Sequence, residues 1–151
     1  MDPVRVPLSC FGQSAPGAAG YSRSTMELTA SPASFTADLL NCSALAQLTV
    51  DEIAGLFMAA LDRAGATIVE AVSHAFPETG LTCVLILRES HAVLHTWPET
   101  GMVNIDIFTC STRLESLAAI AELGRSLGAD AVSIQEISRA DGHGPRPDPR
   151  R

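Results

Sequence analysis

Three strand-length runs follow one another through the middle of the chain, LTCVLILRES, HAVLHTW and MVNIDIFT, and the second and third alternate apolar with polar residues. Successive side chains of a strand point to opposite faces, so this alternation describes half-buried strands rather than helices. Pro98 to Gly101 turns the chain between HAVLHTW and MVNIDIFT, which makes the two a β-hairpin. LTCVLILRES is nearly continuous in apolar residues and reads as a strand that is central or covered on both faces. A chain with this stretch at its middle is committed to a sheet.

The flanking segments supply the rest. SFTADLLNC has a short strand's length, and TIVEAVSHAF reads as another strand. Between them TVDEIAGLFMAALDRAGA places Ile53, Leu56, Phe57, Ala60 and Leu61 on one helical stripe. Thr49 followed by Glu52 forms a capping-box pattern, and Gly65 stands where a left-handed residue ends the helix. TRLESLAAIAELGRSLGA predicts a second amphipathic helix with Leu114, Leu117, Ala118, Ala121, Leu123 and Leu127 as core candidates and Gly128 as its stop. AVSIQEIS is a last strand. This order argues for an α+β fold, a two-layer α/β sandwich whose largely antiparallel sheet carries two helices on one face.

At 151 residues the chain has the length of one domain, and 46% hydrophobic residues suit a compact core that needs no disulfide or metal to fold. Residues 1–31 are rich in Gly, Ser, Ala and Pro and read as a flexible leader, with Met26 a candidate natural start. Residues 140–151, DGHGPRPDPRR preceded by Ala140, read as a disordered tail, which leaves 32–139 as the domain. A net charge of -7 disfavours a nucleic-acid partner. No apolar run approaches the ~20 residues that span a bilayer, and the first residues lack a signal-peptide core, so the expected location is the cytoplasm with no membrane partner. Cys10, Cys42, Cys83 and Cys110 have no C-x-x-C spacing and are expected to be free thiols, Cys42 and Cys83 as small buried hydrophobes.

The chemistry-bearing residues gather in RESHAVLHTWPETG. Strand alternation puts His91, Val93, His95 and Trp97 on one face and Ala92, Leu94 and Thr96 on the other. H-x-x-x-H suggests zinc on a helix, but in a strand residues four apart lie ~13 Å from each other, too far to share one ion. Ser90 lacks the G-x-S-x-G elbow of a serine hydrolase. A His-paired thiol at Cys110 depends on the fold bringing the groups together.

The segment ESHAVLHTWPETGMVNIDIFTC, with ESH at 89–91, HTWPE at 95–99 and FTC at 108–110, closely resembles the processing and active-site segment of the bacterial S-adenosylmethionine decarboxylase proenzymes. ADLLNC and GATIVEAVSHAFPETGLTCVLIL resemble that family's first three strands more weakly, so the likeness spans about residues 33–139. It implies self-cleavage between Glu89 and Ser90, with Ser90 converted to a pyruvoyl group that serves as the cofactor in place of pyridoxal phosphate or a metal. Such a ketone forms a Schiff base with the substrate amine and draws electrons as carbon dioxide leaves.

By the same resemblance, His95 handles a proton in processing and Cys110 donates one to the substrate carbon in catalysis. Phe76 and Trp97 stack on adenine, and Glu99 accepts from the ribose hydroxyls. Thr82 stands where many members have a serine, eight residues before the cleavage serine, as a processing hydroxyl. The implied activity is conversion of S-adenosylmethionine to its decarboxylated form for spermidine biosynthesis, in a homodimer of cleaved protomers. Relatives that act on arginine or ornithine, or that regulate an active copy, are the alternatives. Intact Ser90, His95 and Cys110 argue against the regulatory one, and Phe76, Trp97 and Glu99 against the basic amino acids.

Overall fold

A computed structural model of the chain describes residues 4–5, 32–77, 80–88, 90–111 and 114–139. Its elements are β1 (Val4–Arg5), β2 (Ala33–Leu40), α1 (Val50–Arg63), β3 (Ile68–Phe76), β4 (Gly80–Leu87), β5 (Ser90–Trp97), β6 (Met102–Thr109), α2 (Ser116–Leu127) and β7 (Ala131–Ser138). The strands form one sheet in the order β1-β3-β4-β5-β6-β2-β7, and every pairing is antiparallel. β3 to β6 are a meander. The helical crossovers carry β2 and β7 around to the far side of β6.

Alternation then decides what each face holds. Leu81, Cys83, Leu85, Ala92, Leu94, Val103, Ile105 and Ile107 turn to one face and are buried with Ile53, Phe57 and Leu61 of α1 and Ile120, Leu123 and Leu127 of α2. Each Leu, Ile, Val or Phe among them contributes about 1.5–3 kcal/mol by leaving water. The opposite face has no helix over it among the described residues, so the domain is an α+β two-layer sandwich with one face of its sheet open. β4 is central, as its apolar run requires, but Ile86 on the open face is 42% exposed.

α1 begins as its sequence predicts: the Thr49 hydroxyl accepts from the Glu52 N–H, and the Glu52 carboxylate accepts from the Thr49 N–H. Those bonds hold the Glu52 carboxyl below the usual carboxylate range. The stripe on α2 differs from the expected one. Ser116, Ala119, Ile120, Leu123, Gly124 and Leu127 turn inward, whereas Leu117 is 52% exposed and Ala118 and Ala121 face out. The run LAAIAEL is apolar almost throughout, so period alone fits more than one face. Gly124 selects the observed one, since a Cβ there would stand 3.3 Å from Val132 and 3.6 Å from Leu39, where the helix crosses the sheet.

Within the segment expected to hold no strand, Val4–Arg5 pairs with Ser73 and Val72 on the free edge of β3. The rest of the leader and residues 140–151 lie outside the described residues, as does Glu89. No helix among the described residues is long and apolar enough to cross a membrane.

Gly80 opens β4 at a close approach to the end of β5. Its φ is +111°, and a Cβ would lie 2.2 Å from the Thr96 carbonyl oxygen and 2.9 Å from Pro98 Cδ. The neighbouring Leu81 N–H donates to the buried Thr96 hydroxyl at 2.9 Å. Gly80→Ala is therefore expected to cost at least ~1–3 kcal/mol of stability through backbone strain. Urea unfolding should show a lowered midpoint at unchanged slope; an unaltered midpoint contradicts this account of the turn.

Candidate active site

The open face is organised by register. His74 of β3, Thr82 of β4, His95 of β5, Asn104 of β6 and Asp38 of β2 are successive cross-strand partners, so five strands each place one polar side chain in a single row. Directly opposed side chains in such a row are within contact distance. The Thr82 hydroxyl meets His95 Nδ1 at 2.5 Å. Because the two ring nitrogens of histidine differ, this contact fixes which of them faces the remaining space.

Aromatic rings line the same region. The His95 ring centroid lies 6.1 Å from that of Phe76 and 4.6 Å from that of Trp97. The Trp97 indole N–H donates to Asn104 Oδ1 at 2.7 Å, and Asn104 Nδ2 donates to Asp38 Oδ1 at 2.6 Å. A cleft of about 470 Å3 opens here, lined chiefly by Thr36, Asp38, His95, Trp97, Asn104 and Asp106. Glu99 is exposed in the turn that follows Trp97. Asn104 and Asp38 were not among the expected site residues. The alternation of MVNIDIFT already put Asn104 on the outer face, but its pairing with Asp38, 66 residues away, exists only through the register.

Ser90 stands at the other end of β5. It is the register partner of Leu87, so Arg88 and Glu89 are the whole connection between β4 and β5. Two-residue hairpins favour Asn-Gly or a leading Gly, and Arg-Glu provides neither. The Arg88 N–H donates to the Thr67 carbonyl at 2.9 Å, which ties this turn to the segment before β3. A small cavity of about 60 Å3 beside it is lined by Thr67, Arg88, Ser90 and Ser111 among others. Cys110 directly follows β6, and because His91 pairs with Phe108 it lies at the Ser90 end of the hairpin. His91 itself is exposed, with its ring 5.6 Å from that of Phe108.

The free thiols differ in setting. Cys42 and Cys83 are buried, and desolvation pushes both thiols up from their ordinary value, which suits inert core residues. Cys110 is only half-buried.

Within one protomer the expected site residues thus fall into two groups. Phe76, Thr82, His95 and Trp97 stand together at one end of β5, with Glu99 just beyond, and Ser90 and Cys110 stand at the other. Ser90 and His95 are five residues apart on one strand, roughly 16 Å at ~3.3 Å per residue. By alternation Ser90 also falls on the helix-facing side, with Ala92, Leu94 and Thr96.

The sequence and the fold have known counterparts. Residues 33–140 match the family model of S-adenosylmethionine decarboxylase. An S-adenosylmethionine decarboxylase proenzyme of Oceanobacillus iheyensis is 33% identical over 106 residues, covering 70% of this chain and 84% of the relative. One from Acidithiobacillus ferrooxidans is 35% identical over 103 residues, covering 68% and 77%. Among solved structures, the adenosylmethionine decarboxylase of Aquifex aeolicus superposes with a TM-score of 0.64 at 25% identity, covering 74% of this chain and 92% of that one. The chain belongs to the S-adenosylmethionine decarboxylase family.

The Thr82 contact is open to direct measurement. In nitrogen-15 NMR the His95 Nδ1 resonance is expected at the same position in the native protein and in Thr82→Ser, and displaced in Thr82→Val, which removes the hydroxyl. Identical ring spectra for native protein and Thr82→Val would show that the hydroxyl does not hold the ring.

Proposed function

We propose that this chain is a self-processing, pyruvoyl-dependent enzyme that decarboxylates S-adenosylmethionine, releasing carbon dioxide and the decarboxylated sulfonium that donates aminopropyl groups in spermidine biosynthesis. The observation that carries the reading is the position of the Glu89–Ser90 bond, in a two-residue connection with Cys110 at the same end of the hairpin. Cleavage there breaks no strand. Fragments 1–89 and 90–151 stay joined by the β4–β5, β2–β6 and β2–β7 ladders, and by the packing of α1 on α2.

Processing uses the chain's own groups. The Ser90 hydroxyl adds to the Glu89 carbonyl, and the peptide nitrogen leaves that carbon, so the amide becomes an ester. Removal of the Ser90 α-proton expels the Glu89 carboxylate, and hydrolysis of the remaining enamine releases ammonia and leaves a ketone at the new amino end. Ser90, with Thr67 and Ser111 around it in a cavity of about 60 Å3, fits this conversion, because a water for the hydrolysis has room and hydroxyl partners there.

The ketone supplies an electrophilic carbonyl for the substrate amine and a sink for the electrons left by carbon dioxide. Cys110 gives the proton that replaces the lost carboxylate on the substrate carbon, a transfer its half-buried thiol suits better than the buried Cys42 and Cys83. Trp97 and Phe76 offer ring faces to the purine, and Glu99 accepts from the vicinal hydroxyls of the ribose. His95, fixed by Thr82, handles the proton moved in processing.

Ser90 and His95 are too far apart to meet within one protomer, which supports a homodimer in which each open sheet face completes the other's site. Phe76, Ile86 and Trp97 are 40%, 42% and 37% exposed on that face, more apolar surface than an isolated sheet needs to show. An antiparallel twofold arrangement sets the turn end of one protomer's β5, with Cys110 beside it, against the partner's Thr82, His95 and Trp97. Ser90, helix-facing as the first residue of β5, has to rotate at the strand's end to meet them. We place the enzyme in the cytoplasm, where Cys42, Cys83 and Cys110, unpaired here, would stay reduced.

Intact-mass measurement of purified protein is expected to find two fragments divided before Ser90, the second blocked at its amino end, while Ser90→Ala gives one inactive chain. A native protein that remains whole sinks the proposal. Carbon dioxide release should be seen with S-adenosylmethionine and be at least ~100-fold weaker with arginine or ornithine, which leave the ring and ribose contacts unused. Preference for either amino acid would reassign the substrate. In sedimentation the active species should carry two copies of each fragment.

A further inference from the structure

Trp97 is held by a hydrogen-bonded chain of fixed polarity. Indole N–H can only donate, and a carboxylate can only accept. Asn104, which has one accepting and two donating positions at its amide, stands between them as the cross-strand partner of both His95 and Asp38. With Nδ2 directed to Asp38 Oδ1 at 2.6 Å, Oδ1 is left for the Trp97 N–H at 2.7 Å. The reverse orientation would set N–H against N–H at one end and oxygen against oxygen at the other. Asp38 therefore fixes the amide, and the amide fixes the ring.

The ring needs such a hold. Trp97 is the last residue of β5, at the rim of the open face, and the χ2 torsion of an indole is broad. His95 packs against it at 4.6 Å between ring centroids, but Trp97 stays 37% exposed, so packing covers only part of the ring. With its N–H taken by Asn104, the ring has only its π faces to offer a ligand in the cleft of about 470 Å3 that Asp38, Asn104 and Trp97 line together. A π face selects flat, aromatic ligands and gains most when its tilt is set before the ligand arrives.

We propose that Asn104 and Asp38 are positioning residues that preset the Trp97 indole, and so determine how tightly the enzyme holds the nucleobase of its substrate. This rests on the reading of Trp97 as a substrate-stacking ring. The chain adds nothing at the reacting carbon, so its loss is expected in KM and not in kcat.

Trp97 is the only tryptophan in the chain, so intrinsic fluorescence reports this one ring. Asn104→Ala is expected to lower the fluorescence anisotropy of the processed enzyme and to raise KM for S-adenosylmethionine by roughly 3- to 10-fold, with kcat within about twofold. The exchange Asp38→Asn with Asn104→Asp rebuilds both hydrogen bonds, the second with its direction reversed, because a carboxylate at 104 accepts both from the indole and from an amide at 38. It should recover anisotropy and KM, which a loss of general stability would not do. A KM for Asn104→Ala within about twofold of the native value overturns the inference, as does an exchange variant no better than Asn104→Ala. Trp97→Ala separates the two levels. If it raises KM while Asn104→Ala does not, only the positioning role falls; if it leaves KM unchanged, the stacking role falls and the inference with it.

Discussion

Strand β5 lies at the middle of an antiparallel sheet whose helices cover one face, and its two-residue period sends each side chain either to the core or to the open surface. Ala92, Leu94 and Thr96 go inward and are fully buried. His91, Val93, His95 and Trp97 go outward. Slipping the register by one residue would bury two imidazoles and an indole and expose Leu94, so the core that stabilises the sheet also holds the outer groups in place. From Ala92 to Trp97 the core packing and the outward polar and aromatic groups are thereby assigned to opposite sides of one strand, and the cost of moving either protects the other.

The same regularity builds the open face as a row rather than a pocket within one loop. His74, Thr82, His95, Asn104 and Asp38 come from five strands, and each is placed by the ladder beside it. A site assembled on strands is held more rigidly than one assembled on loops. It also has a fixed length. The hairpin turn that contains Glu89–Ser90 lies at the end of β5 opposite to Trp97, and no side-chain movement closes roughly 16 Å of strand. The turn before Ser90 at one end and the ring-lined cleft at the other are set apart by the geometry of a single strand, and the proposed second copy in antiparallel orientation would join them.

Much of this was legible in the amino-acid sequence because it depends on short-range patterns. The alternation in HAVLHTW and MVNIDIFT set the hairpin and sorted its faces, and Thr49 with Glu52 marked the start of α1 to the residue. The inward face of α2 was not legible, because LAAIAEL is apolar on almost every side and Gly124, which fits the helix against Leu39 and Val132, signals nothing by itself. The Asp38–Asn104–Trp97 chain was hidden for a different reason. It joins residues from three strands through a register that only the folded sheet defines. The resemblance carried by ESH, HTWPE and FTC led to the family, but the distance between Ser90 and His95 along β5 appears only once the strand has a length in ångströms.

The division of the site between two chains is the claim on which the rest turns, and it is tested by co-expressing Ser90→Ala and His95→Ala chains that carry different tags. If the site is shared, His95→Ala alone stays whole, and in the mixed dimer its Ser90 meets the intact His95 of the other chain, so mass measurement finds the His95→Ala chain divided before Ser90. A His95→Ala chain that divides on its own, or that stays whole while bound to Ser90→Ala, contradicts it.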